Sequence, residues 1–331
     1  MYTKRLTSLI LAILIIMSFT RHAFTHEVTK VEEKTFKMKP GGFVTVICDA
    51  GFIKVESWDK EEVYLKMTKR AWDRTQRRAE RRLEDIEVDI THTENRLTIR
   101  EIQHHEDHQF NFFDLFDPDR WGGRWAETLV DFELKVPKET DLRLETDEGD
   151  IEVTEVHGDI NIDTDEGEIE LKNITFNNLD IRSDEGDFYG FRLDGKAGRL
   201  SIESDEGYVR LEQTILRELE VDTDESEIVL IQTRVGTFDL ATDEGDVEVE
   251  LEVQPEGRYR ISSNQGNIIV SLPQNVAVTL DLRTESGSIR TDFPVAVEEM
   301  DEGERVRDRI GQGGARLEVY TDEGDIRLEK R

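Results

Sequence analysis

From Leu142 onward, apolar and polar residues take turns along the chain. Leu142, Leu144 and Thr146 hold alternate positions. So do Ile160, Ile162 and Thr164, then Leu179, Ile181 and Ser183, then Leu200, Ile202 and Ser204. The pattern returns at Leu219, Val221 and Thr223, at Phe238, Leu240 and Thr242, and as late as Leu317, Val319 and Thr321. A period of two with one apolar face predicts half-buried β-strands. Each strand runs into the same acidic turn, as in "TDEGDIEV" from 146 to 153. A second alternating pair follows the turn, such as Ile151 and Val153 or Val247 and Val249.

The turn glycines stand at 149, 167, 186, 207, 245, 266, 287 and 324, with Ser226 in place of one of them. Their steps are 18 to 21 residues, with one of 37 before the last. A fixed period near 20 residues marks stacked repeats. A lone two-stranded unit cannot bury enough surface to stand alone. The repeats over 137–331 are therefore expected to stack as an all-β, single-chain β-solenoid, entered through an N-terminal strand region over 27–136. A β-sandwich also uses short alternating strands, but it does not require one turn sequence in every repeat. Within the turn, Thr or Ser ends the inward face with a hydroxyl able to bond turn backbone. Asp starts the turn, and Gly supplies its left-handed or crowded conformation. An earlier divergent copy, "VTVICDAGFIKV", puts Cys48 at the Thr position, which predicts a core residue rather than a reactive thiol.

Three segments break the pattern. Over 68–85, Trp72, Ala79, Leu83 and Ile86 recur at helical spacing, while Arg70, Arg74, Arg77, Arg78 and Arg81 line another face. That predicts one short capping helix. Residues 104–125, "HHEDHQFNFFDLFDPDRWGGRW", form an aromatic and histidine-rich insertion. His104 and His108 have a spacing usable by a transition metal. Phe112, Phe113, Phe116 and Trp121 are dense for a loop, so this segment is read as a second cap or a partner-binding loop. Residues 295–314 are polar and end glycine-rich, which predicts a surface loop.

The chain carries 75 acidic against 43 basic residues, a net charge of −32. That excludes nucleic acid as a partner, because a phosphate backbone needs a basic face. Stacked turns would align Asp147, Asp165, Asp184, Asp205, Asp224 and Asp243 into a ridge that gathers cations. Calcium, which takes oxygen ligands in flexible geometry, is the specific ion such a ridge would hold; the alternative is a diffuse monovalent cloud. No other cofactor is expected. Cys48 is the one cysteine, so no internal disulfide forms. Lys4 and Arg5 precede an apolar run from Leu9 to Phe19, the pattern of an export signal. Residues 1–26 are read as a signal peptide or an N-terminal anchor. Either places the rest outside the cytoplasm, in the periplasm or at the cell surface, with membrane contact only through that segment if it is kept.

The stretch "GFIKVESWDKEEVYLKM", the recurring S/T-D-E-G-x-I-x-V turns and "GGARLEVYTDEGDIRLEK" resemble the bacterial candidate-adhesin, β-strand-repeat proteins of domain-of-unknown-function family 4097. The resemblance covers about residues 30–331. It implies an exported β-solenoid and brings no catalytic residues. The expected function is a non-catalytic structural or adhesive binding module of the bacterial cell envelope, with a glycan or protein component as partner. The alternatives are an envelope-associated sensor or regulator, and a carbohydrate-active enzyme on a β-helix. Glycoside chemistry needs two carboxylates in distinct environments, whereas nearly every acid here belongs to a repeating set.

Overall fold

The computed structural model describes residues 26–102 and 127–331. The described chain is all-β with one helix. The described residues divide into two compact units, one holding 26–30, Arg70–Asp85 and 127–128, the other Val31–Lys69, 86–102 and Leu129–Arg331.

In the larger unit, the strands before the acidic turns pair in parallel. Thr140–Glu148 lies beside Ile160–Glu166, then Asn178–Glu185, then Asp194–Glu212, then Ile215–Glu244. Register sets equivalent positions over one another: Leu144 pairs with Ile162, Ile162 with Ile181, Ile181 with Ile202, and Ile202 with Val221. The strands after the turns form a second parallel ladder through Ile151–Thr154, Ile169–Lys172 and Phe188–Phe191. The inward side chains are the foreseen ones, with Leu144, Ile162 and Leu240 all at 0% exposure. Parallel pairing of identical inward positions thus builds the core as continuous aliphatic columns.

The turn glycine has a steric cause. A Cβ on Gly167 would lie 2.4 Å from the Gly149 carbonyl oxygen, and one on Gly186 would lie 2.0 Å from that of Gly167. Both glycines also sit at positive φ, +132° and +152°, where an L side chain is strained. The Thr/Ser column does what its chemistry predicts. Thr164 Oγ1 donates to the Glu166 carbonyl at 3.1 Å, and Thr321 Oγ1 to that of Gly266 at 3.1 Å.

Stacking order departs from chain order at both ends. Gly42–Ala50 lies between Arg96–Ile102 and Thr140–Glu148. Ala315–Glu323 lies between Arg258–Gln265 and Val278–Ser286, so the last repeat enters the interior of the stack. Glu304–Ile310 then runs antiparallel along Val278–Ser286. The surface loop expected over 295–314 therefore contains a strand. Its alternation is hidden because Val306 and Ile310 are its only apolar members, among Arg305, Arg307, Asp308 and Arg309.

The helix also differs from expectation: it spans Gln76–Asp85, not 68–85. Residues 68–73 instead complete the strand Glu62–Asp73, whose buried side carries Val63, Leu65, Met67, Lys69, Ala71 and Asp73. Two charged residues on the buried side mask the period of two. Lys69 Nζ is satisfied by the Ile86 carbonyl at 2.9 Å. In the smaller unit, Asp73 accepts from Arg82 Nε at 2.9 Å and from the Arg74 N–H at 2.6 Å. Burial pushes the Asp73 carboxyl up, but these bonds outweigh it and hold it below the usual carboxylate range.

Gly167→Ala should cost about 2 kcal/mol or more, because backbone of the neighbouring turn must move. Ser226 stands at a glycine position with its Oγ buried and unpartnered. Ser226→Ala should therefore be neutral or stabilise by about 1 kcal/mol. Thermal melts of the two variants check this; an unchanged midpoint for Gly167→Ala would mean that the turns are not in contact.

Candidate functional site

Two outward surfaces carry chemistry. The first is the acidic corner. Thr146 pairs with Thr164 and Glu148 with Glu166 on either side of Asp147 and Asp165, and the same register continues through Ser183 and Glu185 to Ser204 and Glu206. The aspartates between them therefore follow one another strand by strand. Partial burial, and then the charges of Asp147, Asp184 and Asp163, push the Asp165 carboxyl up. Burial followed by Glu203 and Asp224 does the same to Asp222. Farther along, Asn264 Nδ2 donates to Asp243 Oδ1 at 2.8 Å, so an amide relieves the column where the acidic series stops. The acid after the glycine has a separate, structural use. Asp150 accepts the Glu168 N–H at 3.0 Å, Asp246 that of Asn267 at 2.7 Å, and Asp325 that of Ser288 at 2.8 Å. Among the described residues, no group of three or more His, Cys, Asp or Glu side chains gathers as a metal site would.

Cys48 takes the inward place read for it. It is 3% exposed, and its sulfur lies 3.5 Å from Thr146 Oγ1. Burial pushes its thiol up to about 12, so it stays protonated and unreactive. His104, His108, Phe112, Phe113, Phe116 and Trp121 lie outside the described residues, as does the export signal. Among the described residues, no helix is long and apolar enough to cross a membrane.

The second surface is the outward side of the post-turn ladder. Tyr189 pairs with Glu170 and Arg210, and Phe191 with Lys172 and Glu212. Arg210 and Glu212 pair onward with Val229 and Ile231. Tyr189, Phe191, Tyr208 and Ile231, all half-buried, thus form an apolar island on a largely charged face, over the buried Val229. A groove of about 390 Å³ crosses Tyr189, Gly190 and Phe191, between Glu168 and Glu170 on one side and Arg210 and Glu212 on the other. The Tyr189 and Tyr208 rings are 5.9 Å apart and tilted by 45°. Tyr189 donates to Asp187 Oδ2 at 3.1 Å, and Arg210 Nη1 donates to the Tyr208 hydroxyl at 3.0 Å. Burial, and then the Asp187 bond, push the Tyr189 phenol up. These bonds hold the rings in place and surround an apolar floor with donors and acceptors.

Sequence reasoning missed the island because it followed the inward face. The signal was present: "EIELK" at 168–172 gives way to "DFYGF" at 187–191 and "EIVLI" at 227–231, so outward positions turn apolar without losing the inward alternation.

Residues 53–329 match the family model described as Toastrack DUF4097. No curated protein matches the chain. Among solved structures, it is similar to a candidate adhesin from Parabacteroides distasonis, with 9% identity over 90% of this chain and 97% of that one and a TM-score of 0.47. A candidate adhesin from Bacteroides fragilis shares 12% identity over 90% and 97%, with a TM-score of 0.41. A candidate lipid-binding protein from Parabacteroides distasonis shares 13% over 90% and 96%, also at 0.41.

Because the raised carboxyl of Asp165 keeps its proton to higher pH folded than unfolded, its contribution is most favourable at low pH. That contribution is lost as pH rises through the raised value. Asp165→Asn should therefore raise the melting midpoint at pH 7 and low salt. The gain should shrink with added salt and on acidification below the carboxylate range. A lower midpoint at pH 7 would show that the carboxylate is needed structurally.

Proposed function

This chain belongs to the Toastrack family, and from that premise we propose that it is a non-catalytic β-solenoid acting as a binding module of the bacterial cell envelope. The in-register parallel ladders support the solenoid reading, since they place repeat upon repeat with a common corner. The basic start and apolar run before residue 20 support export, with residues 1–26 as signal peptide or anchor. One observation carries the binding role: the apolar island of Tyr189, Phe191, Tyr208 and Ile231 on an otherwise charged outward face, with a groove of about 390 Å³ over Tyr189 and Phe191. A contiguous apolar patch rimmed by polar residues is the surface feature that marks a binding site. The partner is an envelope glycan or protein. The acidic ridge serves a supporting part, gathering counter-cations that relieve its own repulsion, either calcium or a diffuse monovalent cloud.

Two measurements test this. Full-length tagged protein should retain envelope material in a pull-down, and Tyr189→Ser with Phe191→Ser should lose it without a change in melting midpoint. Equal retention by the double variant would remove the island from the account. Millimolar calcium chloride should raise the midpoint more than sodium chloride of equal ionic strength; equal effects would leave only screening.

A further inference from the structure

The outward face of the pre-turn ladder changes sign where the last repeat enters the stack. Earlier strands present mostly acids there, Asp180, Glu203, Glu220, Asp222 and Asp239, with Arg182 and Arg199 among them. On Arg258–Gln265 the outward positions are Arg258 and Arg260. The neighbouring Ala315–Glu323 sets Arg316 directly beside Arg258. Val278–Ser286 follows with Arg283, and Glu304–Ile310 closes the row with Arg305, Arg307 and Arg309. Their inward neighbours Tyr259, Leu317, Leu282 and Val306 are all buried, so these arginines share the outward side. A chain of net charge −32 thus sets seven arginines on one four-strand face.

Carboxylates on this face leave a surplus. Arg260 and Arg316 reach Glu318, Arg260 also reaches Asp239 at 3.9 Å, and Arg305 and Arg307 both reach Asp281. Arg283 pairs with Glu285 at 2.8 Å. Arg258 and Arg309 are exposed and have no carboxylate partner among the described residues. Arg258 faces Arg316 across the ladder, a like-charge pairing that costs stability. Arginine on the edge strand Glu304–Ile310 guards that edge against stray pairing. That explanation does not reach Arg258, Arg283 and Arg316, which lie on strands paired on both sides. A groove of about 660 Å³ runs along Arg258, Arg260 and Arg316. The groove also takes in Glu218, Glu220, Asp239 and Glu318, each already tied to an arginine: Glu218 to Arg217 at 3.3 Å, Glu220 to Arg199, Asp239 to Arg260 at 3.9 Å, and Glu318 to Arg260 and Arg316.

We propose that this arginine face, centred on Arg258 and Arg316, binds a phosphate monoester carried on a sugar of the envelope. The guanidinium fork matches phosphate oxygens bidentately, and this face uses arginine rather than lysine. A phosphate monoester carries close to two charges near neutral pH, more than a carboxylate, and so answers the unpaired Arg258 together with Arg316 beside it. The surrounding acidity selects against broad anionic surfaces. A membrane plane would press the neighbouring acidic coils against lipid phosphates, whereas a sugar phosphate enters the groove alone.

The inference rests on the binding-module reading and narrows its ligand. The test is calorimetric titration of the full chain with glucose 6-phosphate and with inorganic phosphate, at low ionic strength, against sodium chloride of matched ionic strength. One saturable site is expected, tighter for the sugar phosphate than for phosphate alone. Arg258→Gln with Arg316→Gln should weaken it about tenfold or more, while Arg182→Gln, on a distant coil, should leave it unchanged. Arg309→Glu provides a second variant on a separate strand and should also weaken binding. Absence of saturable binding, or affinity unchanged in the Arg258/Arg316 and Arg309 variants, would overturn the proposal. So would recruitment to phosphatidic acid vesicles without binding of the sugar phosphate. A negative titration alongside a successful envelope pull-down would sink this inference alone. A positive titration with an empty pull-down would sink the wider reading and keep the site.

Discussion

The structure depends on how closely one turn approaches the next. At every turn glycine from Gly149 to Gly324, a Cβ would fall between 1.9 and 2.4 Å from a carbonyl oxygen of the neighbouring turn. That oxygen occupies the volume a side chain would need. The contact fixes turn-to-turn registry at one corner, and registry there decides everything along the strands. Side chains alternate with a period of two, so a slip of one residue would carry a whole aliphatic column from core to solvent. The buried hydroxyls of Thr164, Thr284 and Thr321 reinforce the corner from inside by donating to turn carbonyls. Polar side chains at the turn then have only the outside left to them.

An identical corner in every coil stacks like charges, and the fold handles this in three ways. Some acids become structural, as when Asp150 or Asp325 accepts a backbone N–H from the adjacent coil. Others meet arginines one coil away, as Glu203 meets Arg182 at 3.2 Å and Glu252 meets Arg234 at 2.7 Å. Such exposed pairs contribute little individually, but they interrupt columns that would otherwise be uniformly negative. The remainder, including Asp165, stay crowded and hold their protons more tightly than free carboxylates. Against that background, departures from acidity are informative. The aromatic island and the arginine face are the two places where outward positions escape the repeat.

Much of this was legible in the residues. The period of two locked to a period near 20 gave the strands, their inward faces, the Thr/Ser column and the buried place of Cys48. What was not legible had specific physical causes. Lys69 and Asp73 sit on a buried face, satisfied by the Ile86 carbonyl and Arg82, so a strand looked helical. Glu304–Ile310 pairs antiparallel with only two apolar residues, so it read as loop. Tyr189 and Phe191 were passed over because a search for the core discards outward positions. The arginine face was invisible for another reason: no single repeat contains it.

That last point follows from topology. Val278–Ser286 precedes Ala315–Glu323 in the chain, yet it needs that segment as its parallel partner. Coils near this end therefore cannot add one by one as synthesis proceeds; a gap stays open until the later repeat returns. The entropic cost of the connecting loop grows only slowly with its length, so the return is thermodynamically cheap although it makes the contacts less local. The connection is also put to use, because Glu304–Ile310 covers the outer edge of Val278–Ser286 with a charged strand that resists further pairing. The same return sets Arg316 between Arg258 and the strand of Arg283, and sets Arg307 opposite Asp281. Closing the stack and assembling the basic face are thus one topological event. A substitution that loosened the returning repeat would disturb the face even if every arginine were kept.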